Sequence, residues 1–397
     1  MRAAVTILVF CVAALLALGM VMLYSSSMAQ VGAHYLLKQL AGCAIGIALC
    51  VTAAAFDYRG LKKYAWPLFG LAVVLLAMVF LPHIGIRRNG AARWLGYEKT
   101  SLFQPSEFAK LALLVALAWY GERFQRQMLT LKRGILIPAA FIGVVLALIV
   151  KEPDAGTMLL LAAVSSVMLL IAGIRLRYLL IPLLIGGLGG GLYIRHSLVE
   201  LEAMHQRGER GEWRCERIYS WLHLEETKLG KGMQAYQAMV ALGSGGLTGT
   251  GLGDGRQKLG WVPEHHTDFI FSIVGEELGL VATLMVVAAF MAGVVCGMYI
   301  AWHSCDPFGL LLGSGITFLI GFQAAINIGV VTSALPNKGL PLPFISYGGS
   351  NLAMMLLSVG ILLSIARKAR SPEADVVVPH HADEFRDPNP FKARPRK

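Results

Sequence analysis

The sequence predicts an all-α polytopic membrane protein with about ten transmembrane helices. Of its 397 residues, 56% are hydrophobic and only 15% are charged, whereas soluble domains average roughly 25% charged residues. A bilayer core of about 30 Å requires roughly 20 apolar residues per helix, and the chain contains repeated runs close to that length. These runs cover approximately residues 4–24, 40–56, 64–82, 106–121, 134–150, 155–174, 177–195, 268–301, 308–334 and 343–366.

Basic residues concentrate in alternate loops, and this pattern sets the predicted orientation. With the N-terminus in the cytoplasm, the loops that carry Lys62, Arg126 and Arg175 are cytoplasmic, and so is the C-terminus, as the positive-inside rule expects. The net charge of +11 therefore needs no nucleic acid to explain it, although attraction to membrane lipid head groups is a second reading. The sequence thus predicts a multi-pass protein of the cytoplasmic (inner) membrane.

We expect residues 1–367 to form one transmembrane domain and residues 368–397 to form a disordered cytoplasmic tail. The tail is charged, contains prolines and has few apolar anchors, and such a composition cannot bury enough surface to fold. A large extracytoplasmic loop is predicted at about 196–267, between the seventh and eighth helices. Its glycine-rich second half is moderately apolar, which favours a re-entrant segment that protein or a water-filled cavity covers.

The stretch WVPEHHTDFIFSIVGEELG, residues 261–279, places two histidines and four carboxylates at the mouth of the eighth apolar run. We expect Thr267 to cap that helix and Asp268 to lie in its first turn. An acid in that position either complements the helix dipole or is functional, because ionisable groups in membrane helices are costly. Partial desolvation would raise the pKa of Asp268 and allow it to act as a general base.

The other polar groups of this stretch have alternative readings. Glu276 and Glu277 lie further along the helix, where they either pair with a basic residue elsewhere or serve the site. His265 and His266 point apart as neighbours and lack a third spaced ligand, so a dedicated metal site is not favoured. A divalent cation such as Mg²⁺ or Mn²⁺, held loosely between carboxylates and a diphosphate, stays open.

Three motifs place Arg or Lys in polar segments near apolar runs: RNGAARW (88–94), QPSEFAK (104–110) and WRCERI (213–218). Arginine and lysine around a glycine-containing turn suit a diphosphate, and the alternative for each motif is an anchor at the membrane interface. The loop around RNGAARW is predicted to lie outside the cell, where orientation does not call for basic residues. That exception indicates a role other than orientation.

Two further motifs begin apolar runs on the same predicted side. In KEPDAGT, residues 151–157, Asp154 is expected to cap the sixth helix, whereas Lys151 could meet a phosphate. The stretch LPNKGLPLPFISYGGSN, residues 335–351, is dense in proline and glycine, which fix an unusual backbone. It predicts a rigid re-entrant loop that lines a cavity.

Together these motifs resemble the SEDS family of membrane glycosyltransferases, the group of FtsW and RodA. The matching stretches run from about residue 86 to 352 in the family's order, and the expected number of helices agrees. They are PEHHTDFIFSIVGEELG, KEPDAGT, RNGAARW with QPSEFAK, ALGSGG with GLG, and NIGVVTSALPNKGLPLPFISYGGSN. GEELG and the loop around Lys338 are closer to the division-type FtsW than to the elongation-type RodA, whereas His265 and Asn351 depart from the residues usual in the family.

The resemblance implies a peptidoglycan glycosyltransferase that polymerises lipid II, a disaccharide-pentapeptide on undecaprenyl pyrophosphate, at the outer face of the membrane. The catalytic aspartate of the HTDF motif would be Asp268. The residues expected to contact the diphosphate or the sugar are Arg93, Lys151, Arg217, Gln234, Lys338, Ser346 and Tyr347. Supporting roles are expected for Glu107, Asp154, Glu276 and Glu277.

The resemblance also implies partners: a class B penicillin-binding protein transpeptidase and other divisome proteins at the division septum. The rival function is a lipid II flippase, because helix bundles with buried charges and interrupted segments also suit transporters. A carrier should hold its ionisable groups near the bilayer midplane, whereas here they cluster at helix ends. The elongation-type polymerase and a structural scaffold are the remaining alternatives.

Overall fold

The structure is a computed structural model that describes residues 1–27, 32, 34–82, 84–88, 91–97, 100–206, 213–230, 232–260 and 266–369. Each of the ten predicted apolar runs coincides with a helix, which confirms the all-α membrane class. The helices are α1 (Arg2–Ser27), α2 (His34–Ala55), α3 (Leu61–Met78), α4 (Pro105–Arg123), α5 (Ile137–Lys151), α6 (Ala155–Ile171), α7 (Leu176–Gln206), α8 (Trp213–Leu222), α9 (Met233–Ser244), α10 (Ile270–Trp302), α11 (Pro307–Val331) and α12 (Gly349–Lys368).

Seven helices in the described part of the chain are long and apolar enough to cross a membrane. They lie at α1, α2, α3, α5, α10, α11 and α12. The apolar helix α6 is shorter, so the number of ten spans stays a prediction. The predicted tail falls almost wholly outside the described residues, since only its first two residues lie within them.

Helix α4 is an interior helix, buried along almost its whole length against α3, α6, α11 and α12. Its first two turns carry Glu107 and Lys110, whose side chains are 3% and 1% exposed. Hydrocarbon offers no partners to such groups, so a charged helix is stable at this depth only where neighbouring helices supply them. This burial explains how α4 tolerates two charges within an otherwise apolar segment.

A three-stranded antiparallel sheet with the order β1-β2-β3 joins α3 to α4. Its strands are β1 (Gly85–Arg88), β2 (Ala91–Tyr97) and β3 (Thr100–Phe103). The sequence analysis did not predict this sheet, because such short strands with arginine and glycine show no clear alternation. The sheet supports Arg93, which reaches from β2 to the turn between α5 and α6.

Connecting segments meet at one end of the bundle, which we call the loop face. It comprises the sheet, the turn at 152–154, the segments 245–260 and 266–269, and the segment 332–348. Contacts tie these parts together: Arg93 binds the 152–154 turn, and Gly156 packs against the backbone of Lys338. The opposite end is held by Lys62, whose Nζ lies 2.7 Å from Asp306 Oδ2.

Three predicted boundaries were wrong. Helix α10 begins at Ile270 with Phe269 as its N-cap residue, so Asp268 lies in the turn before the helix and Thr267 is not the cap. Helix α12 begins at Gly349 rather than at 343, because the proline-rich segment stays irregular. Helix α7 continues to Gln206, so part of the predicted loop at 196–267 is helical.

Helix α10 is interrupted at Gly279, where the backbone adopts φ 75° and ψ −173°. Residues with a side chain rarely adopt this conformation, whereas glycine does so at little cost. A Cβ atom on Gly279 would also lie 2.5 Å from the carbonyl oxygen of Leu247. The interruption therefore depends on glycine both for its backbone conformation and for the close approach of the 245–251 segment.

We predict that Gly279→Ala destabilises the protein, because the added methyl group meets backbone atoms and the residue keeps a strained φ that costs about 1–3 kcal/mol. Gly293→Ala, in the same helix, is the matched control: a Cβ there has Leu8 Cδ1 at 3.9 Å as its nearest contact. Thermal unfolding of the two purified variants in detergent should show a clear fall in Tm only for Gly279→Ala. Equal Tm values would contradict the proposed strain.

Candidate active site

Asp268 lies in the turn that leads into α10, and the protein fixes it through both its backbone and its side chain. Its carbonyl oxygen accepts a hydrogen bond of 2.7 Å from Asn327 Nδ2 of α11. Its Oδ1 accepts a hydrogen bond of 2.9 Å from Thr267 Oγ1. On the other side, a Cβ placed on Gly339 would lie 3.4 Å from Asp268 Oδ2, so the carboxylate borders the 332–348 segment.

The 332–348 segment is bonded directly to the turn that carries Asp268. Asn327 Nδ2 also donates a hydrogen bond of 2.7 Å to the Leu340 carbonyl. The Tyr347 amide donates a hydrogen bond of 3.0 Å to the His266 carbonyl. One asparagine and one backbone bond therefore hold the two segments in register.

His266 has an aromatic role in this arrangement. Its ring stacks on that of Tyr35 with centroids 4.6 Å apart, and the Tyr347 ring centroid lies 5.9 Å away. Within the described ranges, no group of three or more His, Cys, Asp or Glu side chains is arranged to hold a metal ion. His265 lies outside the described residues.

The turn between α5 and α6 presents a second acid at the loop face. Asp154 caps α6, because its Oδ1 accepts a hydrogen bond of 3.1 Å from the Thr157 amide. Its Oδ2 accepts a further one of 2.9 Å from Thr157 Oγ1. The predicted capping role of Asp154 is confirmed.

Arg93 holds this turn in place from the sheet. Its Nε donates a hydrogen bond of 3.2 Å to the Glu152 carbonyl, and its Nη2 donates a short one to the Pro153 carbonyl. These two hydrogen bonds engage part of the guanidinium with backbone carbonyls. The remaining N–H groups are what the side chain has left for another anion.

Arg217, in α8, interacts electrostatically with Arg93, Asp154 and Asp268. Its side chain keeps an exposed surface, yet desolvation by the surrounding protein lowers the pKa of its guanidinium, and the nearby charge of Arg93 lowers it further. Asp268 and Asp154 oppose that shift. Two cations and two acids from four separate segments therefore lie together at the loop face.

Glu152 is a member of this cluster that the sequence analysis missed. Its side chain is 0% exposed, and neither carboxyl oxygen has a hydrogen-bond partner. Burial, together with the charge of Asp154, raises its pKa to about 8, although Arg93 opposes the shift. The sequence does contain a signal for Glu152: it is an acid at the end of a predicted helix, and no basic residue stands three or four positions away to pair with it.

The remaining predicted contact residues occupy different positions. Lys151 ends α5 with an exposed side chain and makes no hydrogen bond or ion pair among the described residues. Lys338 immediately precedes Gly339, the residue that borders the Asp268 carboxylate. Gln234 lies in the first turn of α9, with its Nε2 buried and without a partner.

Ser346 and Tyr347 organise the end of the 332–348 segment. The Ser346 hydroxyl accepts a hydrogen bond of 2.7 Å from the Leu342 amide, and its side chain is only 5% exposed. Gln39 Nε2 donates a hydrogen bond of 3.1 Å to the Ser346 carbonyl. These bonds give Ser346 a place in the turn, and its contact with a substrate stays a prediction.

Glu107 belongs to a buried polar network beneath the same segment. Lys110 Nζ lies 2.8 Å from Glu107 Oε2 and donates a hydrogen bond of 2.9 Å to Gln323 Oε1. Gln323 Nε2 in turn donates a hydrogen bond of 2.9 Å to the Pro341 carbonyl, and Asn351 Nδ2 donates one of 2.9 Å to Glu107 Oε2. The network links α4, α11 and α12 to the loop that borders Asp268.

The side chains of Glu276 and Glu277 contact the 245–260 segment rather than the cluster of Arg93, Arg217 and Asp268. Glu277 Oε1 lies 2.6 Å from Lys258 Nζ, and Glu276 Oε1 accepts a hydrogen bond of 2.7 Å from the Arg256 amide. Of the two predicted readings, the contacts show the ion pair for Glu277 and backbone hydrogen bonds for Glu276. Their supporting role is therefore structural in its immediate contacts.

We predict that Glu152→Gln alters the pH dependence of stability. The unfolded carboxyl ionises near its ordinary value of 4.5, whereas the folded one stays protonated up to about 8. Between these values the folded state binds more protons than the unfolded state, so the wild type loses stability as pH rises, by at most about 1.4 kcal/mol per pH unit. The Tm of Glu152→Gln should therefore rise relative to wild type from pH 5 to pH 8.

Glu122→Gln is the control for this measurement, because Glu122 pairs with Lys62 at the opposite end of the bundle. Its Tm difference from the wild type should not follow the same pH profile. A Tm difference between Glu152→Gln and wild type that is constant from pH 5 to pH 8 would overturn the raised pKa of Glu152.

Comparison with known proteins agrees with the motifs in this cluster. Residues 6–371 match the Cell cycle protein family that groups FtsW, RodA and SpoVE. The probable peptidoglycan glycosyltransferase FtsW of Geobacter metallireducens is 38% identical over 363 residues, which cover 90% of this chain and 93% of that protein. Stage V sporulation protein E of Bacillus subtilis is 35% identical over 364 residues, 90% of this chain and 95% of that protein.

Two solved structures share the fold. One is a chain of a structure that describes the structural coordination of polymerization and crosslinking by a peptidoglycan synthase complex. It is 29% identical with a TM-score of 0.71, and the match covers 91% of this chain and 96% of that chain. The other is the rod shape determining protein RodA of Thermus thermophilus, 28% identical with a TM-score of 0.63, covering 92% and 97%. The chain belongs to the FtsW/RodA/SpoVE family of cell cycle proteins.

Proposed function

We propose that this chain is a peptidoglycan glycosyltransferase that polymerises lipid II at the outer face of the cytoplasmic membrane. The observation that carries the proposal is Asp268, whose backbone is held by Asn327 and which belongs to one electrostatic cluster with Arg93 and Arg217 at the loop face of a membrane helix bundle. The naming of the Geobacter relative as a probable peptidoglycan glycosyltransferase supports the same activity.

In the proposed reaction, Asp268 accepts the proton of the 4-hydroxyl of an acceptor N-acetylglucosamine. The hydroxyl oxygen forms a bond to the anomeric carbon of a lipid-linked N-acetylmuramic acid. The bond from that carbon to the pyrophosphate breaks, and its electron pair leaves with undecaprenyl pyrophosphate. A hydroxyl is a weak nucleophile until a base takes its proton, and such catalysis contributes about 10²- to 10⁴-fold.

The cations of the cluster are suited to the leaving group. Charge accumulates on the departing pyrophosphate in the transition state, where preorganised positive groups stabilise it most. Arg217 and Lys338 are our first candidates for direct contact, and Lys151 and Gln234 are further candidates. Arg93 holds the 152–154 turn and can add the charge of its guanidinium to the same field.

A divalent cation such as Mg²⁺ or Mn²⁺ is a separate proposal. The described residues do not offer a ready set of protein ligands, and the Asp154 carboxylate already binds Thr157. A cation would therefore take most of its oxygen ligands from the diphosphate and from water, as Mg²⁺ commonly does. Turnover with and without a chelator measures this dependence.

The proposed orientation rests on the distribution of charge. The end opposite the loop face carries Arg59, Lys62, Arg367 and Lys368, which supports its placement in the cytoplasm under the positive-inside rule. The loop face then lies outside, with both termini in the cytoplasm. A substrate anchored in the outer leaflet would reach Asp268 from the membrane plane.

The proposed setting is septal wall synthesis together with a class B penicillin-binding protein and other divisome proteins. The solved complex is described as coordinating polymerization and crosslinking, which supports a transpeptidase partner. The FtsW names of several relatives favour division over elongation. Depletion that yields filamentous cells would agree with division, whereas rounded cells would indicate elongation.

The rival proposal, a lipid II flippase, is less consistent with where the charges lie. Glu107 and Lys110 fall in the first two turns of α4, within about 9 Å of its end at the loop face. Asp268 and Asp154 also belong to that face, and Arg217 interacts electrostatically with both of them. A carrier needs ionisable groups near the midplane, whereas the central parts of the described membrane helices carry no Asp, Glu, Lys or Arg.

We predict that Asp268→Asn lowers lipid II polymerisation by at least about 10²-fold, because the amide cannot accept the hydroxyl proton. Purified protein with its transpeptidase partner and labelled lipid II provides the assay, with products resolved by length. Asp254→Asn, which changes an exposed acid of the 245–260 segment, should retain wild-type polymerisation. Long glycan from Asp268→Asn would refute the assignment, and loss of flipping alone in proteoliposomes would favour the carrier.

We further predict that Arg217→Gln slows polymerisation roughly 10- to 10²-fold, because a cation near the departing diphosphate is lost. The effect should grow when the acceptor is saturating and the bond-breaking step limits the rate. Arg256→Gln is the matched control, since its side chain is exposed and only its backbone amide binds Glu276. The same fold-change for both variants would show a general loss of positive charge rather than a specific contact.

A further inference from the structure

The interruption of α10 leaves the backbone groups on either side of Gly279 without partners inside the helix. The 245–251 segment supplies them. The amides of Thr250 and Gly251 donate to the carbonyls of Glu276 and Glu277 at 2.9 and 3.1 Å. Below the break, the Leu280 amide donates to the Gly246 carbonyl at 2.9 Å.

The side chains above the break make a second layer of contacts with the following residues. Glu276 Oε1 accepts hydrogen bonds from the Arg256 and Gln257 amides at 2.7 and 3.2 Å. Glu277 Oε2 accepts one of 3.1 Å from the Gly253 amide. The 253–257 backbone is therefore folded around two adjacent carboxylates.

Lys258 closes this structure and connects it to α1. Its Nζ lies 2.6 Å from Glu277 Oε1 and 2.7 Å from the Gly253 carbonyl. Ser25, near the end of α1, donates a hydrogen bond of 2.7 Å to Glu277 Oε2 and accepts one of 3.0 Å from Lys258 Nζ. Lys258 is 4% exposed and Glu277 is 0% exposed. We call Lys258, Glu277 and Ser25 the brace.

The brace acts on a short piece of helix. The part of α10 before Gly279 spans Ile270–Leu278, about two and a half turns, and Asp268 precedes it by two residues. Because the helix is broken at Gly279, its main body does not fix the direction of this piece. The 245–260 segment and the brace supply that constraint from one side, and Asn327 supplies it from the other.

A buried ion pair is weak evidence for a gain in stability, because the desolvation of both charges offsets their attraction. The pair does have a geometric effect. Because separating the two side chains would leave a buried charge without a partner, the pair keeps them together. Among the described residues, the side chain of Glu277 binds Lys258, Ser25 and the Gly253 amide, and none of these belongs to the cluster of Arg93, Asp154, Arg217 and Asp268. An effect of these residues on catalysis would therefore act through the position of Asp268.

We propose that Lys258 is a positioning residue for glycosyl transfer: through Glu277 and Ser25 it fixes the short first part of α10 against α1 and so fixes Asp268. The inference rests on the proposed catalytic role of Asp268. Displacement of a catalytic group by about 1 Å can cost 10²-fold in rate. The brace therefore affects the reaction through the position of Asp268.

The test compares Lys258→Met with Lys62→Met, the same substitution at an ion pair on the opposite end of the bundle. Lys258→Met should lower kcat at least tenfold and leave KM for lipid II within about twofold, whereas Lys62→Met should keep the wild-type kcat. Hydrogen exchange supplies a readout independent of activity. Amides of Thr250, Gly251 and Leu280 should exchange faster in Lys258→Met only.

A second variant guards against simple misfolding, because Lys258→Met leaves the Glu277 charge buried alone. The double variant Lys258→Met/Glu277→Gln removes both charges and keeps the volume, so it should fold in wild-type yield. It should still show reduced kcat and faster exchange at Thr250. Ser25→Ala, which removes only the link to α1, should give a smaller reduction of the same kind.

The outcomes separate this inference from the proposed function. If Asp268→Asn is inactive while both Lys258 variants keep wild-type kcat, the brace does not position Asp268. Faster exchange with wild-type kcat overturns the inference equally, as does a kcat that falls only in proportion to the folded fraction. If Asp268→Asn polymerises normally, the proposed function fails, whatever the exchange data show.

Discussion

Irregular backbone next to membrane-spanning helices must find its hydrogen-bond partners inside the protein, because lipid supplies none. The loop face meets this constraint with side-chain amides that bind backbone groups. Asn327 donates to the carbonyls of Asp268 and Leu340, and Gln323 donates to that of Pro341. Gln39 both donates to the Ser346 carbonyl and accepts from the Gly348 amide. Two helices, α2 and α11, therefore hold the backbone of the segment that borders Asp268.

The same requirement explains why the buried charges occur where they do. Glu276 accepts backbone amides that no sheet or helix uses, and Lys258 donates to a carbonyl as well as to Glu277. Lys110 joins Glu107 to Gln323, which in turn binds the loop. These charges are parts of the scaffold around the site, and each satisfies several partners at once, as buried ions must. Glu152 departs from this pattern, and its raised pKa is the consequence.

The sequence predicted the helices well and the connections poorly. Apolar runs locate membrane helices because the bilayer imposes a length and a composition, and all ten runs became helices. The sheet that supports Arg93 was not predicted, because its strands are short and lack alternation. The contacts of Glu276 and Glu277 with residues about 20 positions earlier could not be predicted either. Hydropathy does not indicate which segment supplies hydrogen-bond partners where a helix is interrupted. Long motifs did indicate which residues share a face, and Arg93, Asp154, Arg217 and Asp268 do lie together.

Asp268 had two readings in the sequence, and comparison with other aspartates at helix starts separates them. Asp154 and Asp306 are N-cap residues, and their carboxylates accept the amides of Thr157 and Gly309 at 3.1 Å each. Helix α10 instead begins after Phe269, without a side-chain cap. The helix dipole does not require Asp268 where it stands, because a capping acid would bind the first turn directly. Its carboxylate borders Gly339 and interacts electrostatically with Arg217, which suits the proton transfer proposed for it beside a leaving diphosphate.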